Sequence, residues 1–360
     1  MKLEELTDKE LERYSRQLVL NYIGYAGQTK LRSSRVCIMG AGGLGSPAAI
    51  TLAAMGVGYI RIVDRDVVSL SDLHRQRFYG EDFVGMPKVE VLEERINSLN
   101  PGVKVDAVAA NISSKNVESL LEGIDLVIDG LDSVEARYII NRAIVKLKIP
   151  YIFAAAIETV GVVSTILPNE TACLECFYSG LQDEDLPKCA TVGVFPPLID
   201  MVSGAQLSEA IRVLLNKNPL LKNRLLYIDV DKMSFDFVNI AKLPDCPVCG
   251  SGKVALRPLK EKVVSGVCGR DGRGVFMVTT TSKIDLDSVE RLLSQHSILP
   301  KKRTKLGITF EYKKDITITF LKDGVTVVQV APGSGIYDVE TVLELYEELV
   351  EKFAIPPVKD

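Results

Sequence analysis

Three groups of residues in this chain have types and spacings that could do chemistry: a glycine loop, the cations and acids downstream of it, and paired cysteines. The loop lies in residues 36–57, VCIMGAGGLGSPAAITLAAMGV. Gly40, Gly42 and Gly45 spell GxGxxG, the dinucleotide signature of a dehydrogenase; with Gly43 the stretch reads GxGGxG and holds ATP. In either case, glycines let the backbone approach a phosphate, and a helix opening near Ser46 points amide donors and its positive dipole end at the anion. Asp64 ends the next apolar run, where a carboxylate accepts from ribose hydroxyls in NAD and ATP alike. The following segment supplies Arg75, Gln76 and Lys88. Hydride transfer needs few cations, whereas separating the α- and β-phosphates of a triphosphate needs several to stabilise the charge that develops. Asp132 follows in DGLDS; a carboxylate beside a triphosphate is repulsive unless it holds Mg²⁺, which makes it the magnesium candidate. Surface ion pairing and helix capping are the alternative readings of these charges.

The cysteines add a second chemistry. Cys173 and Cys176 form one CxxC, Cys246 and Cys249 another. Two such turns brought together make the tetrahedral thiolate set of structural zinc, a closed site with no position for catalysis. Cys189 belongs to neither pair and is the candidate nucleophile, with Lys188 beside it; an inert free thiol is the alternative. Cys37 sits in an apolar strand and reads as core, and Cys268 reads as part of a hairpin turn.

These residues require elements to position them. The pattern predicts a helix over 8–20, strands at 35–39, 59–63, 103–109 and 125–128, and helices at 46–56, 86–99, 114–121 and 134–148, with Ser46 capping the helix after the loop. Strands alternating with helices predict an α/β fold: a Rossmann-like, mostly parallel sheet with helices on both faces. Paired strands at 151–157 and 161–167, an irregular cysteine-bearing stretch over 170–200, a helix over 202–215 and a hairpin over 224–240 follow. The division expected is a nucleotide-binding domain over 1–250 with its zinc site, a polar linker over 251–260 and a small α+β domain over 261–360.

The ordered motifs resemble those of the ThiF/MoeB/HesA family of ubiquitin-activating-type adenylyltransferases. They are RYSRQ (13–17), GAGGLG (40–45), Asp64-x-Asp66, SDLHRQ (71–76), GMPK (85–88), DGLDS (129–133), the two CxxC pairs and CATVGVFPP (189–197). The resemblance implies ATP-dependent adenylation of the C-terminal glycine carboxylate of a ubiquitin-like or sulfur-carrier protein ending in Gly-Gly. It implies Asp64 and Asp66 on the ribose side, Gly43 at the phosphate, Arg75 and Lys88 on the phosphates, Gln76 lining the site and Asp132 on Mg²⁺. It implies Arg16 reaching into a partner subunit's nucleotide site, hence a homodimer, and thioester or persulfide chemistry at Cys189. One residue departs from the pattern. The family usually carries Asn where this chain has Asp72, and a further carboxylate near triphosphate repels it unless protonated, turned away or bound to metal.

A net charge of −4 and the absence of a basic tract argue against nucleic acid, and so against the tRNA-modifying carboxylate-activating enzymes of the same superfamily. An NAD-dependent oxidoreductase is disfavoured by Arg75, Lys88 and Asp132 together, and a non-catalytic carrier-docking pseudoenzyme by the near-complete site. The acid-bearing first residues are neither signal nor transit peptide, and the apolar run over 151–168 is interrupted by Glu158 and Gly161, so a cytoplasmic protein with no membrane span is expected. The domain over 261–360 carries no motif tied to chemistry; carrier recruitment or dimer stabilisation is expected of it.

Overall fold

The computed structural model describes residues 5–184, 186, 192–251, 254–259, 262–268, 274–332, 334–336 and 338–358. The predicted first helix is two short ones, α1 (Asp8–Arg13) and α2 (Ser15–Leu18), because Tyr14 leaves helical geometry and buries its ring. A helix the pattern did not predict, α3 (Gly24–Ser33), follows. Its GYAGQTKLRS sequence contains two glycines and no clear apolar stripe, so periodicity gives little signal there.

The strands β1 (Arg35–Met39), β2 (Tyr59–Val63), β3 (Lys104–Val108), β4 (Leu126–Asp129) and β5 (Tyr151–Ile157) run parallel. Antiparallel β6 (Val160–Ile166), β7 (Arg224–Asp229) and β8 (Ser234–Asn239) complete an eight-stranded sheet in the order β3-β2-β1-β4-β5-β6-β7-β8. Its crossovers are α4 (Gly45–Ala54), α5 (Lys88–Leu99), α6 (Val117–Leu120) and α7 (Val134–Leu147). Strand order reverses between β1 and β4, and ligands sit at such reversals, beyond the carboxyl ends of the strands. β1, β2 and β4 end level there, with Met39 paired to both Val63 and Asp129.

After β6 come a short α8 (Leu174–Phe177) and a long α9 (Pro196–Leu214), which packs on β4, β5, β6 and α4. α9 starts six residues before the predicted helix. Pro196 and Pro197 stand in its first turn, where proline starts a helix instead of breaking one.

The remaining strands form a separate sheet in the order β11-β12-β13-β14-β10-β9. They are β9 (Val264–Cys268), β10 (Gly274–Thr279), β11 (Pro300–Arg303), β12 (Gly307–Lys313), β13 (Ile316–Leu321) and β14 (Val325–Val330). β9 and β10 pair antiparallel on either side of the stretch read as a hairpin turn; the turn itself lies outside the described residues. Helices α10 (Leu286–Gln295) and α11 (Val339–Phe353) cover one face, burying Phe310, Ile318, Phe320 and Phe353 together. The other face turns to the first sheet's crossovers: Leu306, Leu321, Val325 and Val327 share one apolar core with Val67, Val89 and Leu92.

Candidate functional site

Two of the loop glycines are demanded by the protein itself. Gly40 has φ +94°, and a Cβ there would lie 2.4 Å from the Gly130 carbonyl oxygen; one on Gly45 would lie 1.8 Å from that of Gly40. Gly42 differs: nothing comes within 3.8 Å of its Cβ position, so its bareness leaves the loop open towards the crevice. Gly43 rests against Ile199 in the first turn of α9. Ser46 does not cap α4 as predicted. It lies inside the first turn and its hydroxyl donates back to the Gly42 carbonyl at 2.8 Å; Leu44 is the capping residue and offers no side-chain acceptor, so the amino end of the helix faces the loop uncapped.

Asp64 fixes the loop from β2. Its carboxylate accepts from the Ala41 amide at 2.5 Å and the Asp66 amide at 2.7 Å. Burial first, and then the charge of Asp66, push its carboxyl up to about 6 against the pull of Lys88. Tyr79 holds the loop from behind, its buried hydroxyl donating to the Ala41 carbonyl at 2.6 Å.

Lys88 is the centre of the charge cluster. It is 4% exposed, with its ammonium 3.1 Å from Asp66 and 3.3 Å from Asp72. Burial would lower its pKa; Asp66, Asp72 and Asp64 outweigh that and raise it above the ordinary lysine range. Asp72 is buried and also accepts from Arg75 at 3.0 Å, Gln76 at 2.9 Å, and the amide and hydroxyl of Ser69. Burial opposes its charge, but Lys88 and Arg75 overcome this and hold it below the usual carboxylate range. In the folded chain the countercharge of Asp72 comes from Lys88 and Arg75. Gln76 is 3% exposed; its Nε2 lies 3.9 Å from the Gly42 Cβ position, and its Oε1 is a buried acceptor without a protein donor.

Asp132 is exposed on the loop beyond β4, two residues after Gly130, which abuts Gly40 and Gly45. Asp183, which the sequence did not single out, closes the same loop by accepting from the Ser133 hydroxyl at 2.7 Å and the Val134 amide at 2.6 Å. On the other side, the Glu158 amide donates to the Gly193 carbonyl and the Phe195 amide to that of Glu158, docking the start of α9 on the turn after β5. The candidate nucleophile Cys189 falls between these anchors but outside the described residues. Arg16 is exposed on α2, whose neighbour Gln17 donates to the Met55 carbonyl at the carboxyl end of α4. The ten residues of α4, about 15 Å of helix, separate that end from the glycine loop, so Arg16 lies away from its own chain's crevice.

This arrangement, a glycine loop at the strand-order reversal with a buried lysine and a half-buried arginine beside it, suits a polyphosphate. Residues 14–248 match the ThiF family. The chain belongs to that family. It is 39% identical over 246 residues to the SAMP-activating enzyme E1 of Haloferax volcanii, covering 68% of this chain and 91% of that protein. The sulfur carrier protein adenylyltransferase of Thermus thermophilus is 37% identical over 250 residues, covering 68% and 92%. Among solved structures, E. coli MccB with ATP is similar at a TM-score of 0.59 and 26% identity, over 66% of this chain and 74% of that one. The six-stranded sheet lies beyond the ThiF match.

The cysteine pairs, with Cys249 one residue beyond the ThiF match, also come together as expected. The four Sγ atoms of Cys173, Cys176, Cys246 and Cys249 lie within 4.8 Å of one another. Cys173 is 4.0 Å from Cys176 and 3.6 Å from Cys246, and Cys176 is 3.4 Å from Cys249. A tetrahedral zinc with Zn–S bonds of about 2.3 Å spaces thiolates by roughly 3.8 Å, so the cluster fits that ion, and the separations are far too long for disulfides. It joins α8 to the segment that follows β8. Among the described residues, no helix is long and apolar enough to cross a membrane.

Proposed function

We propose that the chain is an adenylyltransferase that activates the C-terminal carboxylate of a ubiquitin-like or sulfur-carrier protein ending in Gly-Gly. The observation that carries this reading is the buried Lys88, held by Asp66 and Asp72 beside a glycine loop at the strand-order reversal. A carrier carboxylate oxygen attacks the α-phosphorus of ATP. A C(O)–O–P bond forms, the bond from the α-phosphorus to the bridging oxygen breaks, and its electron pair leaves with pyrophosphate. Lys88 and Arg75 stabilise the charge that grows on the phosphoryl oxygens. Asp64 and Asp66 serve the ribose side, and Gln76 lines the site. Asp132 would hold Mg²⁺, which neutralises phosphate charge when bound. Zinc on the four cysteines has a structural role.

A homodimer completes the site in this reading, with Arg16 entering the partner's crevice. Beside Arg16, Val19, Leu20, Tyr22 and Tyr25 leave apolar surface exposed, as a subunit interface requires. The exposed Phe235 and Phe237 on β8 offer a second apolar surface, suited to the carrier. Residues 1–250 are the catalytic unit, 251–260 link it to the unit over 261–360, and the protein works in the cytoplasm.

Exchange of labelled pyrophosphate into ATP, dependent on an added Gly-Gly carrier, tests the reading. It is expected in the wild type and lost in Asp132→Ala. Normal exchange in Asp132→Ala removes the magnesium assignment. No exchange by the wild type with any carrier of this class removes the function.

A further inference from the structure

The six-stranded sheet touches the first unit at one place above all, the turn that delivers Lys88. Backbone bonds tie residues 66–68 to 85–88: Val68 N to Met86 O, Gly85 N to Val68 O and Lys88 N to Asp66 O. This clamp presents Asp66 and Lys88 together, and β12 and the turn before it lie against its back. The Thr309 hydroxyl, buried, donates to the Gly85 carbonyl at 2.6 Å. That uses its single proton, so the Thr319 hydroxyl 2.8 Å away is the donor to Thr309. A Cβ on Gly85, at φ +87°, would meet the Thr309 methyl at 3.3 Å, and one on Gly307 would meet the Pro87 ring at 3.0 Å. Two residues beyond Lys88, Glu90 accepts from the Lys305 amide at 2.8 Å and the Leu306 amide at 3.1 Å. Lys302 donates to the Asp82 carbonyl at 2.8 Å, and Lys305 pairs with Glu93 at 3.0 Å.

We infer that this sheet is the rear wall of the phosphate site and that Thr309 is a positioning residue for Lys88. Carrier recruitment and dimer stabilisation, the roles expected from sequence, would need this sheet's outer surfaces; the contacts with the clamp give its inner face a task of its own. Lys88 and Asp66 carry opposite charges within a few ångströms of each other. The pair is already in contact at 3.1 Å, so a clamp free to shift would carry both charges together and withdraw the ammonium from the crevice. Thr309, Gly307 and the Glu90 contacts fix the turn from outside, so the lysine is presented at a set depth. The inference rests on the reading of Lys88 as a phosphate ligand.

Titration calorimetry of the 360-residue chain with Mg–ATP, and with adenosine by competition, separates the possibilities. Thr309→Val keeps the shape and removes the donor. It is expected to weaken Mg–ATP binding about tenfold, the scale of one lost buried hydrogen bond, and to leave adenosine binding unchanged. Thr309→Ser is expected to restore ATP affinity. Equal ATP affinity in wild type and Thr309→Val overturns the inference, as does a parallel loss for ATP and adenosine, which is what a merely structural role would give. If Thr309→Val does not fold, Glu90→Gln carries the same two readouts, with a several-fold loss specific to ATP expected and an unchanged affinity overturning the inference. A wild type that binds adenosine and Mg–ATP equally refutes the phosphate reading instead, so the two failures are distinguishable.

Discussion

Two buried clusters of carboxylate and cation stand at the carboxyl edge of the same sheet, and they differ in how completely they are closed. In the first, Asp129 accepts from Arg137 at 2.9 Å, the Tyr151 hydroxyl at 2.6 Å and the Leu131 amide at 2.9 Å, and Arg137 also donates to the Leu131 and Ala154 carbonyls. The Asp129 carboxylate has no exposure, and the Arg137 side chain is 5% exposed. In the second, Lys88 lies between Asp66 and Asp72, with Arg75 on Asp72, but the side chains of Asp66 and Arg75 are 35% and 22% exposed and Gln76 Oε1 has no protein donor. Both clusters bury charge. The sealed one ties β4 to α7 and β5; the open one has capacity left over for a ligand. Buried charge alone therefore does not mark a site. Incomplete closure beside a loop that can approach a phosphate does.

Breaking the sealed cluster should have the largest effect on the fold. Arg137→Met leaves Asp129 buried without a cation, at a cost of about 3–5 kcal/mol in urea unfolding. A loss under about 1 kcal/mol would mean that the cluster is not a clip. Breaking the open cluster should instead cost activity. Lys88→Met is expected to lower pyrophosphate exchange by roughly 10²–10³-fold, with a smaller stability loss than Arg137→Met because Asp72 keeps Arg75 and Ser69. A Lys88→Met protein that unfolds as readily as Arg137→Met would erase the distinction between the clusters.

The smallest effect is expected at Asp72. Asp72→Asn keeps acceptor and shape while removing one charge, and exchange should stay within about tenfold of the wild type. Its pH signature has a definite sign. Lys88 and Arg75 hold the folded carboxyl below its unfolded value, so its contribution to stability is present above the unfolded pKa, near 3.8, and is lost as pH falls through the folded value. The stability of Asp72→Asn should therefore fall off less steeply than that of the wild type below about pH 4. Identical acid limbs would show that Asp72 is not ion-paired in the folded state.

The glycine loop, the acids ending β2 and β4, and the CxxC pairs were legible because each is a local pattern. A glycine between a strand and a helix, or two cysteines two residues apart, has its meaning within a few residues. Errors arose where a local rule met a tertiary demand. Ser46 looks like a cap, but the loop before it is already tight enough for the helix to begin at Gly45. Pro196 and Pro197 fall in the stretch expected to be irregular, yet they start α9 against Gly43. Tyr79 and Asp183 gave no signal because their partners, Ala41 and the Ser133–Val134 turn, are 38 and about 50 residues away.

By itself the sequence determined the alternation of strand and helix, the phosphate-approaching loop, the thiolate pairs and the residue types available to the site. Hydrophobic period and backbone conformational preference act over a turn or a strand, so they are written in contiguous residues. Only the tertiary structure decided that Asp72 pairs with two cations, that Asp129 is sealed while Lys88 is open, and that Thr309 meets Gly85 across 224 residues. Those outcomes depend on which faces meet once both sheets have buried their apolar sides, and a charge or hydroxyl takes its role from the partner that burial leaves within reach.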